Sequence, residues 1–267
     1  MLTTLRAALP GRGDALPSGE RSRTVEPDLD HLAAYAHVCG FTLGATLPPT
    51  YPHVLAFPLH MELLAASPFS AVGLVHVANR IVQHRPIGAD EPLELRVRVG
   101  PFQPHRRGRT FDFVSAAYAG DELVWEGFST MLKRGPGDES APRSPEPPDV
   151  PVTAHWRLPG DLGRRYASVS GDHNPIHLHP LAAKPLGFPR AIAHGMWTKA
   201  RCLAALRLPE ALEVEVRFRK PVLLPSTVEF GEADGRFAVV GHLDGVVVPA
   251  NGGRRSRAVI RSARSRG

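Results

Sequence analysis

Carboxylate and imidazole side chains are concentrated in one stretch of the sequence. It holds Asp172, His173, Asn174, His177, His179 and His194. Asp172 and His177 are five residues apart around an Asn-Pro turn, which could bring both side chains to one point. Such a pair can hold a water molecule, take a proton from it and return a proton elsewhere, and histidine suits this task near neutral pH. An ordinary Asp-Asn turn has the same residues, so the spacing alone leaves a structural role open.

A metal site is a competing interpretation of the same side chains. His173, His177 and His179 all carry imidazole ligands, but Pro175 interrupts any helix that would align them. The two cysteines of the chain are far apart and form no metal-type cluster. We therefore expect neither a metal nor another cofactor.

A proline-rich segment divides the chain into two similar halves. Five of the 17 residues from 134 to 150 are proline, and the segment has no apolar period, which indicates a linker. Short matches recur in the same order on either side: Tyr35–Gly40 with Tyr166–Gly171, and Tyr51–Ala56 with Phe188–Ala193. The shared order predicts an internal duplication. The expected parts are a flexible lead-in at 1–27, a first module at 28–133, the linker at 134–150 and a second module at 151–267.

Each half combines a buried helix with alternating strands. Apolar segments at His60–Ala66 and Met196–Leu206 predict the helices, and the period of two in Leu93–Val99 and Leu212–Arg219 predicts strands. Hairpins are expected between 111–118 and 123–133, and between 237–243 and 246–248 around an Asp244-Gly245 turn. This order of elements indicates an α+β fold.

The stretch Tyr166–Met196 resembles the motif of the MaoC-like, or hydratase 2, family. That family comprises (R)-specific enoyl-CoA hydratases and (R)-3-hydroxyacyl-thioester dehydratases. Its motif reads approximately Tyr-Ala-x-x-Ser-Gly-Asp-x-Asn-Pro-Ile-His, then Gly-Phe, then Ile-Ala-His-Gly-Met, and every element is present here. More closely, the chain resembles the actinobacterial two-module 3-hydroxyacyl-thioester dehydratases. The resemblance implies two tandem hot-dog modules, each a central helix wrapped by an antiparallel sheet, that form a pseudo-dimer.

The resemblance also assigns roles to residues of the second half. It implies that Asp172 and His177 activate water, and that the Gly195 N–H binds the thioester carbonyl oxygen, as suits a helix N-terminus. Asn174 would orient the pair or satisfy the loop backbone. Substrate-binding residues are expected beside the motif and on the following strand, at His194, Met196, Trp197, Arg217, Arg219 and Lys220. For Trp197 a place in the core, and for the three basic residues a solvated strand face, remain open alternatives.

The implied reaction is the reversible addition of water to a trans-2-enoyl thioester, which gives an (R)-3-hydroxyacyl thioester in fatty acid metabolism. The sequence does not decide between CoA and acyl carrier protein as the carrier. Two alternatives are a hot-dog acyl-CoA thioesterase and a non-catalytic acyl-thioester-binding subunit.

The first half departs from the motif at the positions that carry chemistry. Phe41 stands where the second half has Asp172, Thr46 stands where it has His177, and Pro58 stands where it has Gly195. Proline has no N–H to donate. We therefore expect a degenerate first module that shapes the acyl tunnel.

Composition and charge exclude several classes of protein. With 43% hydrophobic and 22% charged residues, the chain is not a disordered protein. Histidine, glutamate and proline interrupt the most apolar stretch, at 56–78, so no membrane span is expected. The start of the chain lacks a signal-peptide pattern, and we expect a cytoplasmic protein.

The net charge of +6 equals the number of arginines at 251–267. These arginines are expected to lie on a last strand, at 256–263, and not to bind nucleic acid, since no aromatic residues alternate with them. They could also steer an acidic acyl carrier protein to the enzyme. A homodimer is possible.

Overall fold

The computed structural model describes residues 13–70, 73–184 and 187–250. The arginine-rich end and the strand expected at 256–263 therefore lie outside the described residues.

The first half contains two helices and six strands among its described residues. In chain order these are β1 (Glu20–Val25), α1 (Leu29–Cys39), α2 (Tyr51–Ala65), β2 (Leu74–Gln83), β3 (Leu93–Val99), β4 (Gln103–His105), β5 (Gly108–Ala119) and β6 (Glu122–Arg134). Asp28 begins α1, since its Oδ1 accepts the N–H groups of Asp30 and His31. Gly40 ends α1 in the left-handed conformation, at φ 82°.

The second half repeats this order after the linker. Its described elements are β7 (Val152–Leu158), α3 (Leu162–Ser170), α4 (Pro175–Leu178), α5 (Pro180–Ala183), α6 (Gly195–Ala205), β8 (Leu212–Phe218), β9 (Ser226–Ala233), β10 (Arg236–Val239) and β11 (Leu243–Pro249). No helix in the described part of the chain is long and apolar enough to cross a membrane.

All strands join one antiparallel sheet, which makes the fold α+β as expected. The strand order is β1-β3-β5-β6-β2-β8-β11-β10-β9-β7, with β4 paired to β5. The two halves meet at the centre of the sheet, where β2 pairs with β8 from Ala78 opposite Arg217 to Gln83 opposite Leu212. Helix α2 packs on β1, β3 and β5, while α1 lies between α3 and α6.

Three expectations about the elements were wrong. Part of the lead-in at 1–27 is a strand, because Glu20–Val25 pairs with β3 along its whole length. Helix α2 begins at Tyr51 and not at His60, since Pro52 suits the first turn of a helix. The turn expected at Asp244-Gly245 lies inside β11, and the hairpin turns at 240–242 instead. Gly245 is needed there because a Cβ would fall 2.4 Å from the ring of Phe237.

Candidate active site

The end of α3 and a sharp turn place Asp172. Gly171 closes the helix with φ 73° and donates its N–H to the Ala167 carbonyl oxygen at 3.0 Å. The next residue, Asp172, donates its N–H to Ser170 Oγ at 3.2 Å. The Asn174 N–H then donates to Asp172 Oδ1 at 3.1 Å, which fixes the carboxylate.

The Asn-Pro sequence begins the short helix α4 that carries His177. Asn174 caps this helix, with its Oδ1 accepting the Ile176 N–H at 3.3 Å. Gly163 of α3 lies against the helix so closely that a Cβ would come within 1.8 Å of the His177 carbonyl oxygen. Asn174 thus satisfies the loop backbone, one of the two roles expected for it.

Asp172, His177 and His194 converge on one point. One side-chain oxygen or nitrogen atom from each lies within 4.8 Å of the other two. His177 is 9% exposed, whereas the Asp172 side chain is 31% exposed and accessible to a ligand. Nδ1 of His177 lies 2.8 Å from the Ile192 carbonyl oxygen, so Nδ1 carries the hydrogen and Nε2 presents a lone pair.

His194 supports both catalytic candidates from behind. Its ring stacks on that of His177 with centroids 3.7 Å apart, and its Nε2 donates to the Asp172 carbonyl oxygen at 3.0 Å. Its own carbonyl oxygen accepts the Thr198 N–H at 3.1 Å, so His194 also begins α6. With 3% exposure, it is placed to position the pair rather than to form the wall of an open pocket.

The pKa shifts indicate an ionised acid beside neutral bases. Burial alone would raise the pKa of Asp172, but the imidazoles of His194 and His177 and the Asn174 N–H hold it below its ordinary value. Burial lowers the pKa of His177, while Asp172 and the Ile192 carbonyl partly oppose that shift. Burial and the neighbouring His177 lower the pKa of His194 to about 3, so it stays neutral.

The three side chains form a poor metal site. The ring planes of His177 and His194 are stacked at 26°, so their in-plane lone pairs do not converge on one ion. The arrangement suits acid–base chemistry on a bound water better.

Gly195 is the first residue of α6, next to this cluster. The first N–H groups of a helix have no partner within the helix and carry the positive end of its dipole. A Cβ at Gly195 would fall 3.0 Å from the Phe218 ring, so a side chain there would require a small shift of that ring. In the first half, the matching Pro58 lies inside α2, so that half lacks both the N–H and a helix N-terminus there.

The remaining predicted residues are not all at the cluster. Met196 is buried in the core, and Trp197 donates its Nε1–H to the Val38 carbonyl oxygen of the first half at 2.9 Å. Arg217 is paired with Glu215 and Arg219 with Asp244, while Lys220 is exposed. Arg217 alternates with Phe218 along β8, so it projects from the sheet face opposite to Gly195.

Sequence analysis missed three residues around the site: Gly163, Phe218 and His76. His76 of β2 packs its ring 4.9 Å from that of Phe218, and the Asp172 carboxylate partly opposes the lowering of the His76 pKa by burial. Gly163 lies next to the motif in the sequence and could have been found from that position. Nothing in the sequence spacing connects His76 or Phe218 with Asp172.

Comparisons with known proteins identify the family and the fold of this chain. Residues 140–236 match the family described as the MaoC like domain. The chain is 41% identical to 3-hydroxyacyl-thioester dehydratase X of Mycobacterium tuberculosis over 248 residues, which cover 88% of each protein.

Two solved structures are similar over most of their length. A crystal structure of HtdX of Mycobacterium tuberculosis superposes with a TM-score of 0.74 at 38% identity, covering 85% of this chain and 99% of that one. A second protein of that organism, reported to have a double hot-dog fold, has a TM-score of 0.53 at 16% identity, covering 89% and 92%. The expected tandem hot-dog fold is therefore confirmed.

Proposed function

The chain belongs to the family of MaoC-like dehydratases, and we propose that it catalyses the reversible (R)-specific hydration of trans-2-enoyl thioesters. It is a hydro-lyase, and in the opposite direction it removes water from (R)-3-hydroxyacyl thioesters. The observation that carries the proposal is the convergence of Asp172 and His177 beside the N-terminus of α6.

The first step in the hydration direction is the capture of a water molecule. The water donates one hydrogen to the Asp172 carboxylate and the other to Nε2 of His177, whose Nδ1–H is held by the Ile192 carbonyl. Its oxygen then attacks C3 as Nε2 takes the proton. The negative charge of Asp172 favours the imidazolium that forms.

The electron pair of the double bond moves toward the thioester carbonyl as the C3–O bond forms. The Gly195 N–H stabilises the resulting enolate oxygen, helped by the dipole of α6. The proton held by the pair returns to C2, so the addition of H and OH balances and the pair is regenerated.

The first module has the fold without this chemistry, and we propose that it covers the acyl group. Its helix α2 brings Phe57 to 3.9 Å from the position of a Cβ at Gly171, next to Asp172. The substrate carrier is CoA or acyl carrier protein, which share the phosphopantetheine arm.

A coupled assay separates this function from thioester hydrolysis. We would follow the absorbance of short and long trans-2-enoyl-CoA together with free thiol in the same samples. Loss of the enoyl absorbance without thiol release supports the hydratase. Thiol release identifies a hot-dog acyl-CoA thioesterase, and no turnover on CoA directs the same assay to acyl carrier protein substrates.

A further inference from the structure

His76 lies at a β-bulge in β2. The register with β6 places His76 opposite Met131 and Ala78 opposite Thr130, so Val77 is the extra residue. A bulge changes the direction of the side chains on one side of it, and bulges are common next to active sites. Without the bulge, strict alternation would put His76 and Ala78 on one face.

The bulge turns His76 toward the helices. Its cross-strand partner Met131 is two residues from Ser129, the partner of Asn79, so His76 and Asn79 share a face. Lys199 of α6 donates to Asn79 Oδ1 at 2.5 Å, which identifies this face as the one that α6 covers. His76 is thus directed into the space between the sheet and α6.

That space adjoins the catalytic pair. The His76 ring packs on Phe218, and Phe218 in turn closes on Gly195, the proposed oxyanion donor. His76 and Asp172 also interact electrostatically, and each shifts the pKa of the other. His76 is therefore a residue of the first module at the border of the second module's site.

The Nε2 atom of His76 is buried without a hydrogen-bond partner. The other ring nitrogen is hydrogen-bonded to the Ala78 backbone, and this bond raises the pKa of His76. Such a shift is expected when Nδ1–H donates to a carbonyl oxygen. Burial outweighs it and lowers the pKa to about 4, so the ring is neutral. Nε2 is consequently a bare acceptor.

Some buried polar side chains near His76 have partners, whereas Gln83 Oε1 of β2 and His194 Nδ1 at the catalytic cluster, like His76 Nε2, have none. Nε2 of His60 bonds Ser115 Oγ at 2.8 Å, and Asn79 Nδ2 donates to Ser129 Oγ at 3.1 Å. An unpaired buried acceptor is unfavourable. His76 Nε2 and His194 Nδ1 are thus two unpaired buried atoms that border the catalytic cluster, where a bound ligand can supply the donor that His76 lacks.

The chemistry of the reaction limits what that donor is. The reacting water has two O–H groups, and the Asp172 carboxylate and His177 already accept both. The bulge and the contact with Phe218 direct His76 inward, toward the space between the sheet and α6. The phosphopantetheine arm leads outward to its carrier. The acyl chain is therefore the part of the substrate that can supply a donor to His76.

We propose that His76 is a specificity residue, and that its Nε2 accepts a hydrogen bond from a hydroxyl group on the acyl chain beyond C3. The inference rests on the proposed function and names its substrate class as hydroxylated acyl thioesters. It makes the first module a direct contributor to substrate recognition.

The test compares two trans-2-enoyl-CoA substrates of equal length, one with a hydroxyl group at C5 or C6 and one without. The wild type is expected to prefer the hydroxylated substrate by about tenfold or more in kcat/KM. His76→Phe keeps an aromatic ring beside Phe218 but removes the acceptor, so the preference should disappear. His76→Gln, which keeps an acceptor, should retain part of it.

His84→Phe is the matched control. His84 follows β2, is 39% exposed and pairs with Glu126 at 3.2 Å, so its replacement should leave the preference intact. Equal kcat/KM values for the two substrates in the wild type would overturn the proposal without reference to any variant. Equal loss on both substrates in His76→Phe would also overturn it and would direct attention to the phosphopantetheine amide.

Calorimetric binding of the saturated acyl-CoA pair separates this inference from the proposed function. Tighter binding of the hydroxylated analogue, abolished in His76→Phe, supports the inference even if no enoyl-CoA is hydrated. Hydration of both enoyl-CoA substrates with equal binding of the analogues would overturn the inference and leave the proposed function standing.

Discussion

His177 is kept in its basic form by opposing local effects. Burial at 9% exposure penalises the imidazolium, whereas the ionised Asp172 and the Ile192 carbonyl favour it. Burial prevails, so the pKa lies below its ordinary value of 6.5 and Nε2 is free to accept a proton at neutral pH. The same Asp172 charge then stabilises the imidazolium that the reaction forms.

The titration of His177 should reflect this balance. By NMR, we expect its midpoint below pH 6.5 in the wild type, because burial lowers the pKa. Asp172→Asn removes a charge that raises the pKa, so the midpoint should fall further. The acid limb of kcat/KM in the wild type should follow the His177 midpoint. A midpoint above 6.5, or an upward shift in the variant, would contradict this account.

Helix α6 contributes through its first peptide group. The cluster of Asp172, His177 and His194 stands directly before Gly195, so a carbonyl oxygen between the cluster and the helix would meet the N–H. Proline is tolerated at the first position of a helix. The extended conformation of His194, with ψ 136°, also suits a residue before proline.

Gly195→Pro therefore deletes the N–H at a position where the helix tolerates proline. Gly195→Ala is its steric control, because either side chain presses on the Phe218 ring while alanine keeps the N–H. Relative to Gly195→Ala, we expect Gly195→Pro to lose about 10²–10³ in kcat, the usual cost of an oxyanion donor. Circular dichroism and thermal melts would verify that both fold. Equal kcat values would remove Gly195 from the mechanism.

Local sequence signals explain most of the elements and some of the errors. The period of two in the sequence predicted both ends of β3 correctly. The hairpin of β5 and β6 was predicted from the turn between them. Helix α2 was placed too late because Pro52 and Pro58 suggest a loop, although proline suits a first turn. Asp244-Gly245 resembles a turn, but tertiary packing against Phe237 is what requires the glycine.

The candidate site was predictable only where its residues are close in sequence. Asp172, His177 and His194 lie within one motif and converge in space, and Gly195 directly follows His194. His76 comes from the other half and reaches the site through a bulge, whose presence depends on the pairing of β2 with β6. Arg217 and Arg219 were predicted to bind substrate, but Arg217 pairs with Glu215 two residues earlier on β8, and the pairing of β8 with β11 brings Asp244 to Arg219.

The two halves form one molecule because they share a sheet and a core. Strand β8 pairs with β2, and α6 is anchored to the first half through Trp197 and Val38 and through Lys199 and Asn79. Burial lowers the pKa of Lys199 well below its ordinary value, because it removes the amine from water. The hydrogen bond to Asn79 therefore stabilises this buried amine. The helix that carries the proposed oxyanion donor is thus held by the half that lacks catalytic residues.

A fragment of residues 151–267 should consequently lack soluble activity. It would expose the apolar edge of β8 and leave Lys199 without Asn79, both of which are unfavourable. The full chain cut in the 134–150 linker after folding is the control, and it should stay active because the sheet still joins the halves. Full activity of the isolated fragment would show that the first module is dispensable.

The most direct test of the central claim is the hydration rate of the wild type against Asp172→Asn, His177→Ala and the neighbouring control His173→Ala. His173 is exposed and lies outside the cluster of Asp172, His177 and His194. We expect the first two variants to lose at least about 10² in kcat/KM while remaining folded, and the control to stay near the wild type. Activity close to the wild type in both Asp172→Asn and His177→Ala would contradict the assignment of this pair as the water-activating site.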